Sequence, residues 1–268
     1  FQNEAVFFVT RDKDNNWQGD IYPPSWGGSS RQMPVQEQVD EYEYIAPNGY
    51  GYPVYGTRAK TDGYDDGNPY ESVKRDPRFY RDIVYHGATF KGKVINTATG
   101  ADKIGASNSS TTGYFLRKIL RESWNRDKSF SISGPPVWRL PEFIYIYAEA
   151  VNESSGPNAE IYQMLNDVRK RSFMAPIPPE AQSSKALMDE YIKRERRVEL
   201  FYENNRIWSS RLYLEASSAK ELAREQAWQG AGATNEQRSQ SYWPYPKTQR
   251  MINGMKPVED PNGKIEVD

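Results

Sequence analysis

The sequence predicts a mainly α chain, with tetratricopeptide-like helix pairs set behind a large irregular loop region that carries a minor β-hairpin. Three observations carry that expectation. Fourteen of the 19 glycines precede residue 137, and the same stretch holds turn signals at Pro23-Pro24, Trp26-Gly27-Gly28, Pro47-Asn48-Gly49, Asp66-Gly67-Asn68-Pro69 and Ala98-Thr99-Gly100, where glycine frees φ and proline fixes it. Beyond residue 137 the apolar residues recur with the period of a helix rather than of a strand. At 268 residues, the chain is also long enough to bury a sizeable core.

In chain order, residues 36–44 read as one short helix, and residues 79–85 with 89–95 as a hairpin around His86-Gly87-Ala88. Phe143, Tyr147 and Ala150 then share one stripe, with Ile144, Ala148 and Val151 beside it, which predicts a nearly buried helix. Gly156-Pro157-Asn158 stops that helix and starts the next, whose stripe is Ile161, Met164, Leu165 and Val168 and which ends before Pro176. So short a connection makes the two antiparallel neighbours. After a linker containing Pro178-Pro179, Leu187, Tyr191, Val198 and Phe201 mark a long helix. Its remaining surface holds Glu190, Lys193, Arg194, Glu195, Arg196, Arg197 and Glu199, a solvated or ion-paired face in which Glu190 and Arg194 stand in the favourable i,i+4 order. A turn at Asn204-Asn205 precedes Ile207, Trp208, Leu212 and Tyr213, and helix continues to about Trp228. Tyr242-Trp243-Pro244-Tyr245-Pro246 then reads as an extended segment anchored by its rings.

Three regions follow: residues 1–134, loop-rich and the candidate ligand face; residues 135–229, helical; and residues 230–268, an extended segment on the helices. Two consecutive helix pairs of about 35 residues are compatible with tetratricopeptide-like stacking.

The charges nearly cancel, with 35 Lys and Arg against 36 Asp and Glu for a formal charge of -1, so bulk electrostatics call for neither nucleic acid nor an anionic membrane. No cysteine and a single histidine exclude a disulfide framework, thiolate chemistry and a multi-histidine metal site, and no metal or cofactor is expected. No run approaches the ~18 apolar residues of a membrane span. Phe1-Gln2-Asn3-Glu4 shows no leader pattern, so the chain either lacks a signal peptide or begins after one.

His86 lies in Tyr85-His86-Gly87 with no strand-Gly-x-Ser-x-Gly elbow around it, and a surface hydrogen bond is its expected role. The carboxylates available for glycosidic chemistry are Asp65 with Asp66, Glu142 with Glu149, and Glu195 with Glu199, each read as structural, with Arg139 one turn from Glu142 as its ion partner. Trp26-Gly27-Gly28-Ser29-Ser30 lacks the spacing of a phosphate loop. Residues 62–68 resemble a hard-cation loop but miss the terminal glutamate, so a turn is preferred to a structural calcium. Aromatic residues make up 13% of the chain, including 19 Tyr and 7 Trp. Trp17, Tyr22, Trp26, Tyr50, Tyr52, Tyr55, Tyr64 and Tyr70 sit on glycine- and asparagine-rich loops, where flat rings can cover the apolar faces of sugars or anchor a peptide.

Five spaced motifs resemble the SusD and RagB family of outer-membrane nutrient-binding lipoproteins. The strongest is Trp138-Arg139-Leu140-Pro141-Glu142-Phe143-Ile144-Tyr145-Ile146-Tyr147-Ala148-Glu149-Ala150, continued by Leu165-Asn166-Asp167-Val168-Arg169-Lys170-Arg171. Glu195-Arg196-Arg197-Val198-Glu199-Leu200-Phe201-Tyr202-Glu203 with Arg206-Ile207-Trp208 is similar to a second family segment. Met33-Pro34-Val35-Gln36-Glu37-Gln38-Val39-Asp40, Arg75-Asp76-Pro77-Arg78-Phe79 and Trp243-Pro244-Tyr245-Pro246-Lys247 resemble three more. Together they correspond to the second half of a family member.

The resemblance implies an all-helical fold with tetratricopeptide-like pairs and an irregular ligand face. It further implies lipid anchoring at the outer membrane through a part not in this chain, and a SusC-like TonB-dependent transporter as partner, together with the N-terminal half of the same protein. The activity implied is non-catalytic capture of an oligosaccharide and its delivery to that transporter. The alternatives are a peptide-binding version of the scaffold and, from a different class, a carboxylate glycosidase. Trp17, Trp26, Tyr52, Tyr64 and Trp124 are the expected ligand contacts, from ring size and loop context. Arg75, Asp76, Pro77, Arg78, Arg139, Glu142, Glu149, Arg196, Arg197, Glu199 and Trp208 are expected to be architectural, with Pro77 fixing a turn and the charged residues forming an ionic lattice between elements.

Overall fold

The computed structural model describes residues 4–7, 17–120, 122 and 136–203, without the side chain of Trp17. The chain divides into two compact units at Asn204 and Asn205, and every described residue belongs to the first. Trp124, Trp208 and the segments 204–228 and 242–247 therefore lie outside the described residues.

The fold is mainly α, as the sequence predicts. Among the described residues, three long helices follow residue 139: α5 (Leu140–Ser155), α6 (Ala159–Arg171) and α7 (Lys185–Glu199). Each boundary has a local cause. Gly156, at φ 80, ends α5 with its N–H donating to the Asn152 carbonyl at 3.0 Å, a conformation that costs glycine little. Asn158 caps α6 by accepting from the Ile161 N–H at 3.0 Å, and Ser184 caps α7 by accepting from the Leu187 N–H at 3.2 Å. Arg169, Lys170 and Arg171 close α6, where the helix dipole favours cations.

These helices enclose one core built from Tyr145, Ala148, Ile161, Leu165, Val168, Ile177, Ala181, Met188, Tyr191, Ile192 and Leu200. The buried stripe of α5 is Pro141, Tyr145, Ala148 and Asn152, not the stripe the sequence favours. Phe143 and Tyr147 are 44% and 43% exposed, because α5 is apolar around most of its circumference and periodicity alone does not decide which side meets α6 and α7.

The first half consists of short helices and paired two- or three-residue strands. The helices are α1 (Trp17–Ile21), α2 (Gln36–Glu41), α3 (Thr57–Thr61) and α4 (Pro77–Asp82). Among the described residues four strand pairs form, each antiparallel: β1 (Ala5–Phe7) with β8 (Trp138–Arg139), β2 (Tyr44–Ile45) with β3 (Gly51–Tyr52), β4 (Ile83–Val84) with β7 (Phe115–Leu116), and β5 (Thr89–Phe90) with β6 (Lys93–Val94). The short helix expected over 36–44 is α2, and it ends sooner. The hairpin expected between residues 79–85 and 89–95 does not form: residues 77–82 are α4, β4 pairs with β7 instead, and residues 89–94 fold on themselves as the β5–β6 hairpin. Asp76 caps α4 by accepting from the Arg78 N–H at 2.8 Å, and Pro77 occupies its first turn, where a missing N–H costs nothing.

Candidate functional site

Two aromatic clusters occupy the loop region. In the first, Pro23 and Pro24 lead into a single 3-10 turn at Pro24–Trp26, closed by Gly27 at φ 74. Gly28 passes so close to the Tyr22 carbonyl that a Cβ there would overlap it. The Ser25 N–H donates to Asp102 at 2.9 Å, which ties this turn to the loop at 97–105. Trp26 thereby rests half-buried on a core of Tyr22, Val84, Ala88, Phe90, Ile95 and Phe115.

The tip of the β5–β6 hairpin arches over that ring. Lys91 and Gly92 both take positive φ, 50° and 77°, as a two-residue hairpin turn of right-handed twist requires. Lys91 Nζ lies 4.9 Å from the Trp26 ring centroid and 5.0 Å from that of Tyr22, and Lys93 Nζ lies 4.6 Å from Trp26. Partial burial lowers the Lys91 pKa below the usual ammonium range, opposed by the Glu122 charge. Glu122 itself is held by the Arg117 guanidinium at 2.6 and 2.7 Å.

The second cluster joins Tyr44, Ala46, Tyr52, Val54 and Ala59, with Tyr50, Tyr64 and Val73 packed against it. Tyr52, expected as an open stacking platform, is only 9% exposed. Its hydroxyl donates to Glu180 at 3.1 Å and accepts from Asn48 at 3.2 Å, while the Arg58 guanidinium sits 3.7 Å from its ring centroid. This ring is structural, since both its edge and a face are occupied by protein. Tyr64 is half-buried in the same cluster. The structure therefore brings Tyr52 and Tyr64 together and sets Trp26 in another cluster. Trp17 begins α1, and nothing is described of its ring. Sequence reading missed Lys91, Lys93 and Arg58, the cations over these rings. The Lys91-Gly92-Lys93 string carried the signal, because a glycine at a hairpin tip makes both flanking side chains neighbours.

Beneath the loops, charged residues form a lattice of ion pairs, with partners the sequence does not reveal. Arg78 is bidentate to Asp76 and reaches Glu195 at 3.0 Å and Glu199 at 3.3 Å. Arg75 donates to the carbonyls of Pro69, Val39 and Tyr42 at 2.9, 2.8 and 2.9 Å. Arg169 links Glu43 at 2.6 Å to Glu195. Arg139 extends to Glu199 at 3.0 Å, Glu203 at 2.7 Å and Glu4 at 3.1 Å. On α7, Arg194 turns to Glu41 and Glu43 instead of Glu190, Arg197 to Glu41 at 2.9 Å and Arg196 to Glu149 at 3.5 Å. The i,i+4 pair that forms is Asp189 with Lys193, at 2.6 Å.

Electrostatics inside the lattice follow from that geometry. Burial raises the Glu199 pKa, but the charges of Arg78, Lys118, Arg171 and Arg139 outweigh it and hold this carboxyl at about 2. Asp82 is pushed up to about 6 by burial, against the Lys118 charge and the hydrogen bond donated by Tyr42 at 2.9 Å. The carboxylates weighed for glycosidic chemistry are therefore engaged elsewhere: Glu195 and Glu199 in the lattice, Glu149 with Arg196, and Asp66 with Lys60 at 3.0 Å. Asp65 accepts the Gly67 N–H at 2.8 Å, the turn expected of residues 62–68. His86 Nδ1 accepts the Thr97 N–H at 3.1 Å, in keeping with a structural hydrogen bond. Among the described residues no three His, Cys, Asp or Glu side chains are placed to hold a metal, and no helix is long and apolar enough to cross a membrane.

Residues 3–257 match the family model described as SusD family. Among solved structures, a SusD-like carbohydrate binding protein from Bacteroides fragilis NCTC 9343 is similar at 23% identity and TM-score 0.64, over 98% of this chain and 48% of that one. A second SusD-like protein from the same organism shares 22% identity at TM-score 0.62, over 80% of this chain and 44% of its own. A SusD superfamily protein from Bacteroides vulgatus ATCC 8482 gives 15% identity and TM-score 0.61, over 94% and 49%. The chain thus spans about half the length of these structures. Among curated protein sequences none matches.

Proposed function

From the premise that this chain belongs to the SusD family, we propose that it is the C-terminal part of a non-catalytic surface protein that captures an oligosaccharide and passes it to a TonB-dependent outer-membrane transporter. One observation carries the reading at the level of the site. Trp26 keeps part of its ring exposed beside the lysines that lie over it, on a turn that packs on a buried core and is tied to the loop at 97–105, so this surface is ordered before a ligand arrives. Preorganisation of this kind spares binding the cost of ordering a loop, and a flat indole suits the apolar face of a pyranose ring. The lattice supports the same reading from the other side. Its carboxylates are pinned by arginines, whereas a glycosidase needs one carboxyl free to donate a proton and another free to attack or activate water.

Affinity electrophoresis through a panel of glycans, followed by calorimetry on each hit and mass analysis of the products, tests this. The expected result is saturable binding of an intact glycan, weakened at least ten-fold in Trp26→Ala. In Tyr52→Phe binding persists, and the loss of the Glu180 bond lowers stability by about 1 kcal/mol. Release of shortened saccharide overturns the non-catalytic reading. Binding of peptides alone moves the assignment to the peptide-capturing form of the scaffold.

A further inference from the structure

We propose that His86 is a pH-sensitive latch on the loop that braces Trp26, holding the turn beneath that ring in place at neutral pH and loosening it in mild acid. The latch is a property of the fold, and that it governs a ligand rests on the capture reading above.

The chain has one histidine, and its ring is placed where a change of charge has a structural cost. His86 lies exposed on the connection between β4 and β5. Its Nδ1 accepts the Thr97 N–H at 3.1 Å and lies 3.0 Å from Thr97 Oγ1. A backbone N–H can only donate, so Nδ1 is unprotonated here and the proton of the neutral ring sits on Nε2. In the imidazolium both nitrogens carry protons. Nδ1 then donates to the Thr97 hydroxyl, but its proton faces that of the Thr97 N–H, which loses its acceptor. Thr97 is only 6% exposed, so an orphaned N–H there is costly.

No neighbouring charge offsets this. Among the described residues the two Thr97 contacts are the polar partners of the ring, and no carboxylate or cation of its own connection or of the segment after β6 forms an ion pair with it.

Thr97 stands at the root of the loop that holds the Trp26 turn. Its carbonyl accepts the Ile104 N–H at 2.9 Å, which closes residues 97–104 into one loop. Asp102 on that loop accepts the Ser25 N–H at 2.9 Å, one residue before Trp26. Loss of the His86 bond frees this loop at its base, and the turn loses its brace. Imidazole is the side chain that ordinarily changes charge between pH 5 and 8. Asp82, at the end of α4, titrates in the same interval with the opposite sign, because its protonation strengthens the fold. A local readout therefore separates the two.

NMR and hydrogen exchange on the full 268-residue chain test this. Nitrogen-15 spectra of the single imidazole are expected to show the Nε2–H tautomer at pH 7.5. Protection of the Ser25, Thr97 and Ile104 amides, corrected for intrinsic rates, is expected to fall about two- to ten-fold from pH 7.5 to 5.0, the worth of one hydrogen bond. Asparagine places Oδ1 where histidine has Nδ1, so His86→Asn keeps an acceptor that does not titrate and abolishes the fall. His86→Leu removes the acceptor and is expected to show the low protection at both pH values. An Nδ1–H tautomer at pH 7.5, a Ser25 amide equally protected at both pH values, or a fall that persists unchanged in His86→Asn overturns the latch and leaves glycan capture standing. If the exchange behaves as expected and no glycan of the panel above binds, capture falls and the latch stands.

Discussion

Asp82 is a buried carboxyl at the last residue of α4, and its raised pKa has a stability consequence of definite sign. Its pKa rises from an ordinary 3.8 to about 6 on folding, so the native state binds the proton more tightly. The favourable contribution is complete below pH 3.8 and is lost as pH rises through 6, on the order of 3 kcal/mol by linkage. Asp82→Asn keeps an acceptor for the Tyr42 hydroxyl and removes the titration. Urea unfolding at pH 4.5 and pH 7.5 is expected to show the wild-type chain losing stability over that interval from this group and the variant losing less. An equal loss in both rules out Asp82 as the source. Arg78 gives the complementary case. Replacing it by Met leaves Asp76, Glu195 and Glu199 buried around an absent cation, and the expected cost is about 3–5 kcal/mol. The sequence reads Arg75-Asp76-Pro77-Arg78 and the arginine- and glutamate-rich run of α7 as architecture. It does not disclose their pairing. Spacing offers Arg139 the neighbour Glu142 one turn away, but it carries no information about Glu199 and Glu203, which Arg139 also reaches some sixty positions further along.

Among the elements, the long helices were legible because each has a chemical stop and start of its own. Gly156, Asn158 and Ser184 act within a few residues and need no tertiary partner. The short strands were not legible, since two residues cannot display an alternation, and α4 was mistaken for strand because its start depends on Asp76 and Pro77 more than on periodicity. The β2–β3 pair shows what a single position adds. Gly51 crosses directly above the Arg169–Glu43 pair, and a Cβ there would overlap Arg169 Nη2 and stand 2.7 Å from Met174 Cε. Gly51→Ala is therefore expected to cost about 1–3 kcal/mol, by overpacking against a guanidinium that Glu195 and the Ala175 carbonyl hold in place. Chemical denaturation reads that cost directly, and a neutral result would mean that the strand can lift away from the pair.

For the described part of the molecule as a whole, the loop region and the helices share their charged interior, so they are expected to lose structure together. Hydrogen exchange on the full chain tests this. Amides of α4 and of α7 should exchange with the same free energy, because opening either strands buried ions of the other. Earlier exchange throughout α4 would mean that the loops open alone. Acid should act on both at once. The Glu199 carboxyl, held near 2 against 4.5 when unfolded, contributes stability that is complete above pH 4.5 and is lost as pH falls toward 2. The candidate site was only partly legible at this scale. Trp26 was singled out by ring size and loop context, but Tyr52 looks the same in sequence and is buried. Exposure depends on what packs above a ring, and for these two residues that is set by Arg58 and by a hairpin more than sixty positions further along the chain.

The seam between Arg78 and α7 also bears on how this scaffold can be re-engineered. A designer wishing to exchange ligand faces between relatives would cut where glycine-rich loop gives way to helix, near residue 135. Such a chimera would separate Glu43, Asp76 and Arg78 from Arg169, Glu195 and Glu199, leaving each donor with counterions evolved for another host. The transplantable part is instead the outer turn at Pro24–Trp26 with the tip of the β5–β6 hairpin, which meets no ion of the seam and can be rewritten on an unchanged foundation.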